Sequence, residues 1–214
     1  MIKYYYIDVK DIKKEYLDEY SKLDKYASYK SDSKRYEKIA RDMLFDYMMK
    51  CENINSEVAV NEYGKPYFKN SKYHFSISHS DGKVIIALSN KELGIDIQKL
   101  SNYDEERIER LARRIYNDND YDYFNNDDNT TFTQIWTIKE AYLKYIGYGL
   151  IKNLHDVIVE YKSNNVYLMG QNPVKFYTCY CGDYIVSIVS NDFISNKDIL
   201  LKNKRIFYQG KEMK

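Results

Sequence analysis

Proline occupies only two of the 214 positions, which sets this chain apart from disordered, low-complexity sequences. Cysteine is nearly as rare. Cys51, Cys179 and Cys181 cannot all pair, and Cys179-x-Cys181 falls in a strand-like run, so neither a disulfide framework nor a zinc site is indicated. Three histidines, His74, His79 and His155, are too few for a histidine-rich metal centre, and any metal held here should be bound through oxygen. No apolar run approaches the roughly 20 residues needed to span a bilayer. Asp8, Lys10 and Asp11 break the N-terminal stretch that a secretory signal would need, so the expected setting is the cytoplasm, with no membrane partner. A surplus of either charge is missing too: 33 basic against 32 acidic residues give +1, without the basic excess of a general nucleic-acid binder. Tyrosine, by contrast, is abundant, at 25, and compositional bias with ordinary packing accounts for it.

What is present suffices for one large domain or two small ones with a real core. Residues 75–90 and 176–191 echo each other. Both begin with Phe and end in Ser-Asn, and each has a turn glycine near the middle, Gly82 or Gly182, before a β-rich run. They read as two hairpins in equivalent places. Each half also offers a helix: residues 33–50 carry Ile39, Met43, Leu44, Tyr47 and Met48 at helical spacing, and residues 104–116 do so with Ile108, Leu111, Ala112 and Ile115. Helices set apart from mainly antiparallel strands predict an α+β class in two similar halves, 1–100 and 101–214, with the break near Leu100–Tyr103. The Asn- and Asp-dense stretch Asn117–Thr131 reads as a loop.

Two segments carry chemistry. Trp136-Thr-Ile-Lys-Glu-Ala-Tyr-Leu-Lys144 is built from strong helix formers, with no glycine until Gly147, and predicts a helix over 133–147 with Glu140 and Lys144 on one face. Lys139 sits about 100° round that helix and reads equally well as solvated. Gly94-Ile-Asp-Ile-Gln98 alternates like a strand, which points Asp96 and Gln98 to the same side. Carboxylates and an amide oxygen can hold a hard divalent cation, and an ammonium beside them can hold a phosphate.

Phe75-Ser-Ile-Ser-His79-Ser80, Gly94-Ile-Asp-Ile-Gln98 and Trp136 to Lys144 resemble the three signature blocks of the 4′-phosphopantetheinyl transferases, and Tyr63-Gly-Lys-Pro-Tyr67 matches a further block upstream. Order and spacing are family-like over roughly residues 20–190, and the length matches the larger, pseudo-dimeric group of the surfactin-synthetase-activator type. The resemblance implies transfer of the phosphopantetheine arm of coenzyme A to a serine of an acyl or peptidyl carrier protein, with release of adenosine 3′,5′-bisphosphate, by a monomer using Mg²⁺, or Mn²⁺ in its place. Asp96, Gln98 and Glu140 would be the metal ligands, and Glu140 also the base that takes the serine proton. Lys144 would meet a phosphate oxygen, while Ser78, His79, Lys65, Lys22 and Lys25 would contact coenzyme A.

This chain departs from the pattern at Gln98, where family members often carry Glu; the amide keeps an oxygen donor but removes one negative charge. Arg107, Arg110, Arg113 and Arg114 give the predicted helix 104–116 a basic surface for an acidic carrier. Two other functions would use related residues: a non-catalytic coenzyme A-binding module, which Gln98 favours, and a metal-dependent hydrolase of nucleotide pyrophosphates. The identity of the carrier is not written in these residues.

Overall fold

The computed structural model describes residues 1–100, 102–123, 128–149 and 153–192, with the backbone of 207–208 and 211–212. In chain order the main elements are β1 (Lys3–Asp8), α1 (Lys14–Ser21), α2 (Asp32–Cys51), β2 (Val58–Val60), β3 (Pro66–Phe68), β4 (His74–Ser80), β5 (Lys83–Ser89) and β6 (Leu93–Lys99). There follow α3 (Glu105–Ile115), α4 (Asp118–Tyr123), α5 (Asn129–Ile146), β7 (Val157–Glu160), β8 (Asn165–Leu168), β9 (Val174–Cys181) and β10 (Tyr184–Ser190), then the short pair β11 (Phe207–Tyr208) and β12 (Lys211–Glu212).

Strand pairing is antiparallel throughout, in a three-stranded sheet β1-β5-β4 and a five-stranded sheet β6-β10-β9-β8-β7, with β2-β3 and β11-β12 as separate ribbons. Helices set apart from antiparallel sheets make an α+β fold, as the sequence predicts. The two hairpins form at β4–β5 and β9–β10. In both hairpins the second strand is flanked by an earlier strand, β1 beside β5 and β6 beside β10. β6 precedes the break expected near Leu100–Tyr103 yet is hydrogen-bonded to β10, so the sheets interlock across that break.

Three apolar layers explain why β5 and β10 read as nearly continuous apolar runs rather than alternating ones: both are covered on both faces. Tyr5, Ile7, Val84, Ile86 and Leu88 meet α2 through Ile39, Met43 and Leu44. Ile85 and Ala87 turn to the other sheet and pack on Ile95, Ile97, Val186 and Ile188. The far face of the second sheet packs on α3 and α5 through Val189, Phe176, Ile135, Ile138 and Ile108. No helix among the described residues is long and apolar enough to cross a membrane.

The stretch Asn117–Thr131 is not simply a loop. Residues 118–123 form α4 and α5 already begins at Asn129, while 124–127 lie outside the described residues. The side chains that suggested a loop act as caps: Asp120 Oδ2 accepts from the Asn117 N–H (2.9 Å), and Asp128 caps α5 by accepting from the Thr131 N–H (2.7 Å). Gly147, at φ 77°, ends α5 in the left-handed conformation that a Cβ disfavours.

Candidate active site

β6 and α5 touch at Gly94. A Cβ there would stand 1.9 Å from the Ala141 carbonyl oxygen and 2.4 Å from the Tyr145 nitrogen, so only glycine lets the helix backbone lie on the strand. This contact brings Glu140 and Lys144 over Asp96. The other edge of β6 has no backbone strand partner among the described residues; instead the N–H groups of Ile95, Ile97 and Lys99 donate to the hydroxyls of Ser76 (3.1 Å), Ser78 (3.2 Å) and Ser80 (3.1 Å) on β4. The alternating serines thus stitch one sheet to the other and satisfy donors that burial would otherwise penalise.

Asp96, 1 % exposed, is the centre of the cluster. Lys144 Nζ lies 2.6 Å from its Oδ1, the Ser78 hydroxyl donates to the same oxygen (2.7 Å), and Gln98 Nε2 donates to Oδ2 (3.1 Å). Lys144 also donates to Ser78 Oγ (2.8 Å). Glu140 is buried, and its carboxyl is pushed up to about 7 by that burial first and by the Asp96 charge second, with Lys144 pulling the other way. Asp96, Gln98, Ser78, Glu140 and Lys144 therefore stand together in one cluster. Ser78 is fully engaged with Asp96, Ile97 and Lys144, which makes its side chain a spacer between β4, β6 and α5 before it is a ligand contact.

The remaining candidates spread along the N-terminal sheet. His79 is exposed with Nδ1 3.3 Å from Glu37 Oε2. The His79 imidazole, and further the Gly82 N–H at 2.6 Å, hold the Glu37 carboxyl below its usual range against the effect of burial. His79 lines a cleft of about 390 Å³ with Arg41, Asp42 and Phe45 of α2. Lys25 reaches the same Asp42 (3.4 Å), which Lys38 (2.8 Å) and Arg41 (3.1 Å) also contact. Lys22 is exposed just after α1. Lys65 turns elsewhere: its Nζ donates to the Tyr145 carbonyl (2.9 Å) and meets Glu92 (3.0 Å), bracing the C-terminus of α5 beside a second cavity of about 440 Å³. Pro66 and Phe75 line both cavities. Sequence reading missed Glu37, Lys38, Arg41 and Asp42, although their spacing on one helix, 37 with 41 and 38 with 42, was a usable signal.

Lys139 is neither solvated nor in the cluster. It is 0 % exposed and pairs at 2.6 Å with Asp120, also 0 % exposed. It donates to the Ile115 carbonyl as well (2.7 Å), and Tyr161 donates to Asp120. Burial pulls the Lys139 ammonium below its usual range and the Asp120 charge opposes it. A pair this dry locks α5 to α3, α4 and the start of β8's hairpin. Lys139→Met would strand the Asp120 charge and should cost about 3 kcal/mol of stability in denaturant unfolding. Adding Asp120→Asn should recover part of it, and a loss below about 1 kcal/mol would show that the pair holds little.

The cluster fits a hard cation. Asp96 and Glu140 are two carboxyl groups close enough for the charge of one to raise the other, and no third His, Cys, Asp or Glu joins them among the described residues. Gln98 adds an amide whose oxygen lies 3.5 Å from Ser80 Oγ. The model of the 4′-phosphopantetheinyl transferase superfamily matches residues 92–189, the stretch that carries Gly94, Asp96, Glu140 and Lys144. Over that stretch the chain is similar to the superfamily. Among curated relatives, the 4′-phosphopantetheinyl transferase gsp of Aneurinibacillus migulanus is 32 % identical over 145 residues, which are 64 % of this chain and 59 % of that protein. The 4′-phosphopantetheinyl transferase Sfp of Bacillus subtilis is 34 % identical over 97 residues, 43 % of this chain and 42 % of its own length. An L-aminoadipate-semialdehyde dehydrogenase-phosphopantetheinyl transferase of Candida glabrata is 31 % identical over 98 residues, 42 % and 38 % of the two chains. The chain thus spans 59 % or less of the length of each of these three.

Proposed function

We propose that this chain transfers the 4′-phosphopantetheine arm of coenzyme A to the serine hydroxyl of an acyl or peptidyl carrier protein. The observation that carries this reading is the packing of Glu140 and Lys144 over Asp96, with the Glu140 carboxyl held near neutrality. A carboxyl poised there can take the serine proton as the serine oxygen attacks the phosphorus next to the pantetheine arm. The bond from that phosphorus to the bridging oxygen then breaks, and adenosine 3′,5′-bisphosphate leaves. Lys144 meets charge that gathers on the phosphate oxygens. Asp96 and Glu140 would hold Mg²⁺, or Mn²⁺, which when bound neutralises pyrophosphate charge, and the Gln98 amide oxygen would join them once the amide turns over from its hydrogen bonds to Asp96 and Ser80.

His79 and Arg41 line one cleft, and Lys25 pairs with Asp42 of its lining, which suits the phosphates of coenzyme A; Lys22 and Lys65 would complete its binding from either side. In this reading the halves 1–100 and 101–214 share one site, because β6 of the first joins the sheet on which α5 of the second rests. α3 buries Ile108, Ala112 and Ile115 and exposes Arg107, Arg110, Arg113 and Arg114, a basic surface for an acidic carrier. The protein acts as a monomer in the cytoplasm.

Intact-mass spectrometry of a panel of carriers, incubated with the protein, coenzyme A and Mg²⁺, is the test. One added phosphopantetheine per carrier is expected. No shift on any carrier, with folded protein that still binds coenzyme A, would leave the non-catalytic binding module. Coenzyme A cleaved without a carrier would point to the hydrolase.

Gln98 offers a finer test. Gln98→Glu brings a third carboxylate to the cluster and should tighten Mg²⁺ binding by about 1 kcal/mol, seen as a lower half-saturating Mg²⁺ concentration at equal ionic strength. Superimposable titrations would place Gln98 outside the metal shell.

A further inference from the structure

Cys179 and Cys181 occupy alternate positions of β9 and so share one face of the strand. With Tyr177 they pack against the apolar layer between the two sheets. Thr178, on the opposite face, bonds Ser187 (3.0 Å), which in turn bonds Thr137 of α5 (2.8 Å). The cysteines are therefore across the sheet from the candidate active site. Both are free and half-buried, and their Sγ atoms lie 3.8 Å apart. Pairing with β10, Cys179 opposite Val186 and Cys181 opposite Tyr184, fixes the two Cα positions that set this separation.

We propose that Cys179 and Cys181 form a two-thiolate site for a soft, thiophilic metal ion. A tetrahedral ion with metal–sulfur bonds of about 2.3 Å holds two thiolates about 3.8 Å apart, and the sulfurs already stand at 3.8 Å. A disulfide fits less well. Its sulfurs must close to about 2.05 Å, and alternate residues of a strand stand roughly 6.7 Å apart at Cα, at the far end of what a disulfide bridges. Thiolate sulfur selects soft ions over Mg²⁺. The ammonium of Lys83, stacked 4.1 Å from the Tyr184 ring centroid, brings positive charge to the Cys181 side of the pair. No third His, Cys, Asp or Glu joins the pair among the described residues, so the ion's other positions are open to water or a small thiol. On binding, the two S–H bonds break, two protons pass to solvent from the fully protonated pair, and two metal–sulfur bonds form; no electron is transferred.

The probe is Cd²⁺ added to the reduced full-length chain carrying Cys51→Ser, which removes the exposed third thiol. The ultraviolet sulfur-to-cadmium band should rise to an end point at one equivalent, unaffected by excess Mg²⁺. Cys179→Ser and Cys181→Ser should each abolish it, with thermal unfolding confirming that both variants fold. Should either fail to fold, protection of both thiols from a thiol reagent by Cd²⁺, in the chain with both cysteines intact, decides the matter. Absence of the band and of protection, or a band that survives either substitution, overturns the site. So does mild peroxide treatment of the metal-free protein that readily yields a chain lighter by two hydrogens and leaves reduced protein unable to bind Cd²⁺; that result would make the cysteines a redox pair. None of these readouts depends on transferase activity.

Discussion

Gly94→Ala should leave a protein that unfolds about 6–12 °C earlier and turns over at least about a hundredfold more slowly. The added methyl would meet the Ala141 carbonyl oxygen at 1.9 Å and the Tyr145 nitrogen at 2.4 Å, both backbone atoms of α5. No rotamer change relieves such a contact; the helix must retreat by more than an ångström or the strand must bend. Overpacking of this kind costs about 3 kcal/mol when backbone must move. The same retreat carries Glu140 and Lys144 away from Asp96, and a displacement of about 1 Å in a reacting constellation is worth roughly a hundredfold in rate. Calorimetry and a steady-state assay on the variant measure the two effects separately. A melting temperature within about 2 °C of the parent, with normal turnover, would mean that α5 does not rest on Gly94.

Local pattern carried the helices and hairpins. Residues 33–50, 104–116 and 133–147 correspond to helices Asp32–Cys51, Glu105–Ile115 and Asn129–Ile146, because helical apolar spacing is written within the first two and strong helix formers closed by Gly147 within the third. The same-side placement of Asp96 and Gln98 follows from strand geometry, and the structure joins them by a hydrogen bond. What the sequence conceals is long-range partnership. Nothing around Lys139 names Asp120 or Tyr161, and an unpaired lysine on a helix ordinarily reads as solvated. Likewise the serines of β4 look like polar positions facing water until β6 supplies the N–H groups they accept. Asn and Asp at 117, 120 and 128 mislead for another reason, since one side-chain chemistry serves loops and helix caps alike.

Glu140→Gln should lower turnover about a thousandfold or more, since it removes both a metal charge and the proton acceptor. Coenzyme A binding, followed by calorimetry, should survive, because Lys144 and the basic cleft are untouched. The same variant should gain stability in a pH-dependent way. The Glu140 carboxyl, ordinarily near 4.5, is raised to about 7 by burial and by the Asp96 charge. Between those values the folded state binds more protons than the unfolded one, so stability falls as pH rises from about 4.5 to 7 and stays lowered above it. Gln mimics the neutral acid and escapes that loss. At pH 8 without divalent metal, Glu140→Gln should therefore be more stable than the parent by up to about 3 kcal/mol, and at pH 4 the difference should vanish. Mg²⁺ favours the ionised carboxyl and should narrow the gap at pH 8 by stabilising the parent alone. Denaturant unfolding at both pH values, with and without Mg²⁺, measures this independently of any carrier. A variant with near-normal turnover would remove Glu140 from the chemistry, and a stability difference that ignores pH would mean that its carboxyl is already ionised at no cost beside Asp96.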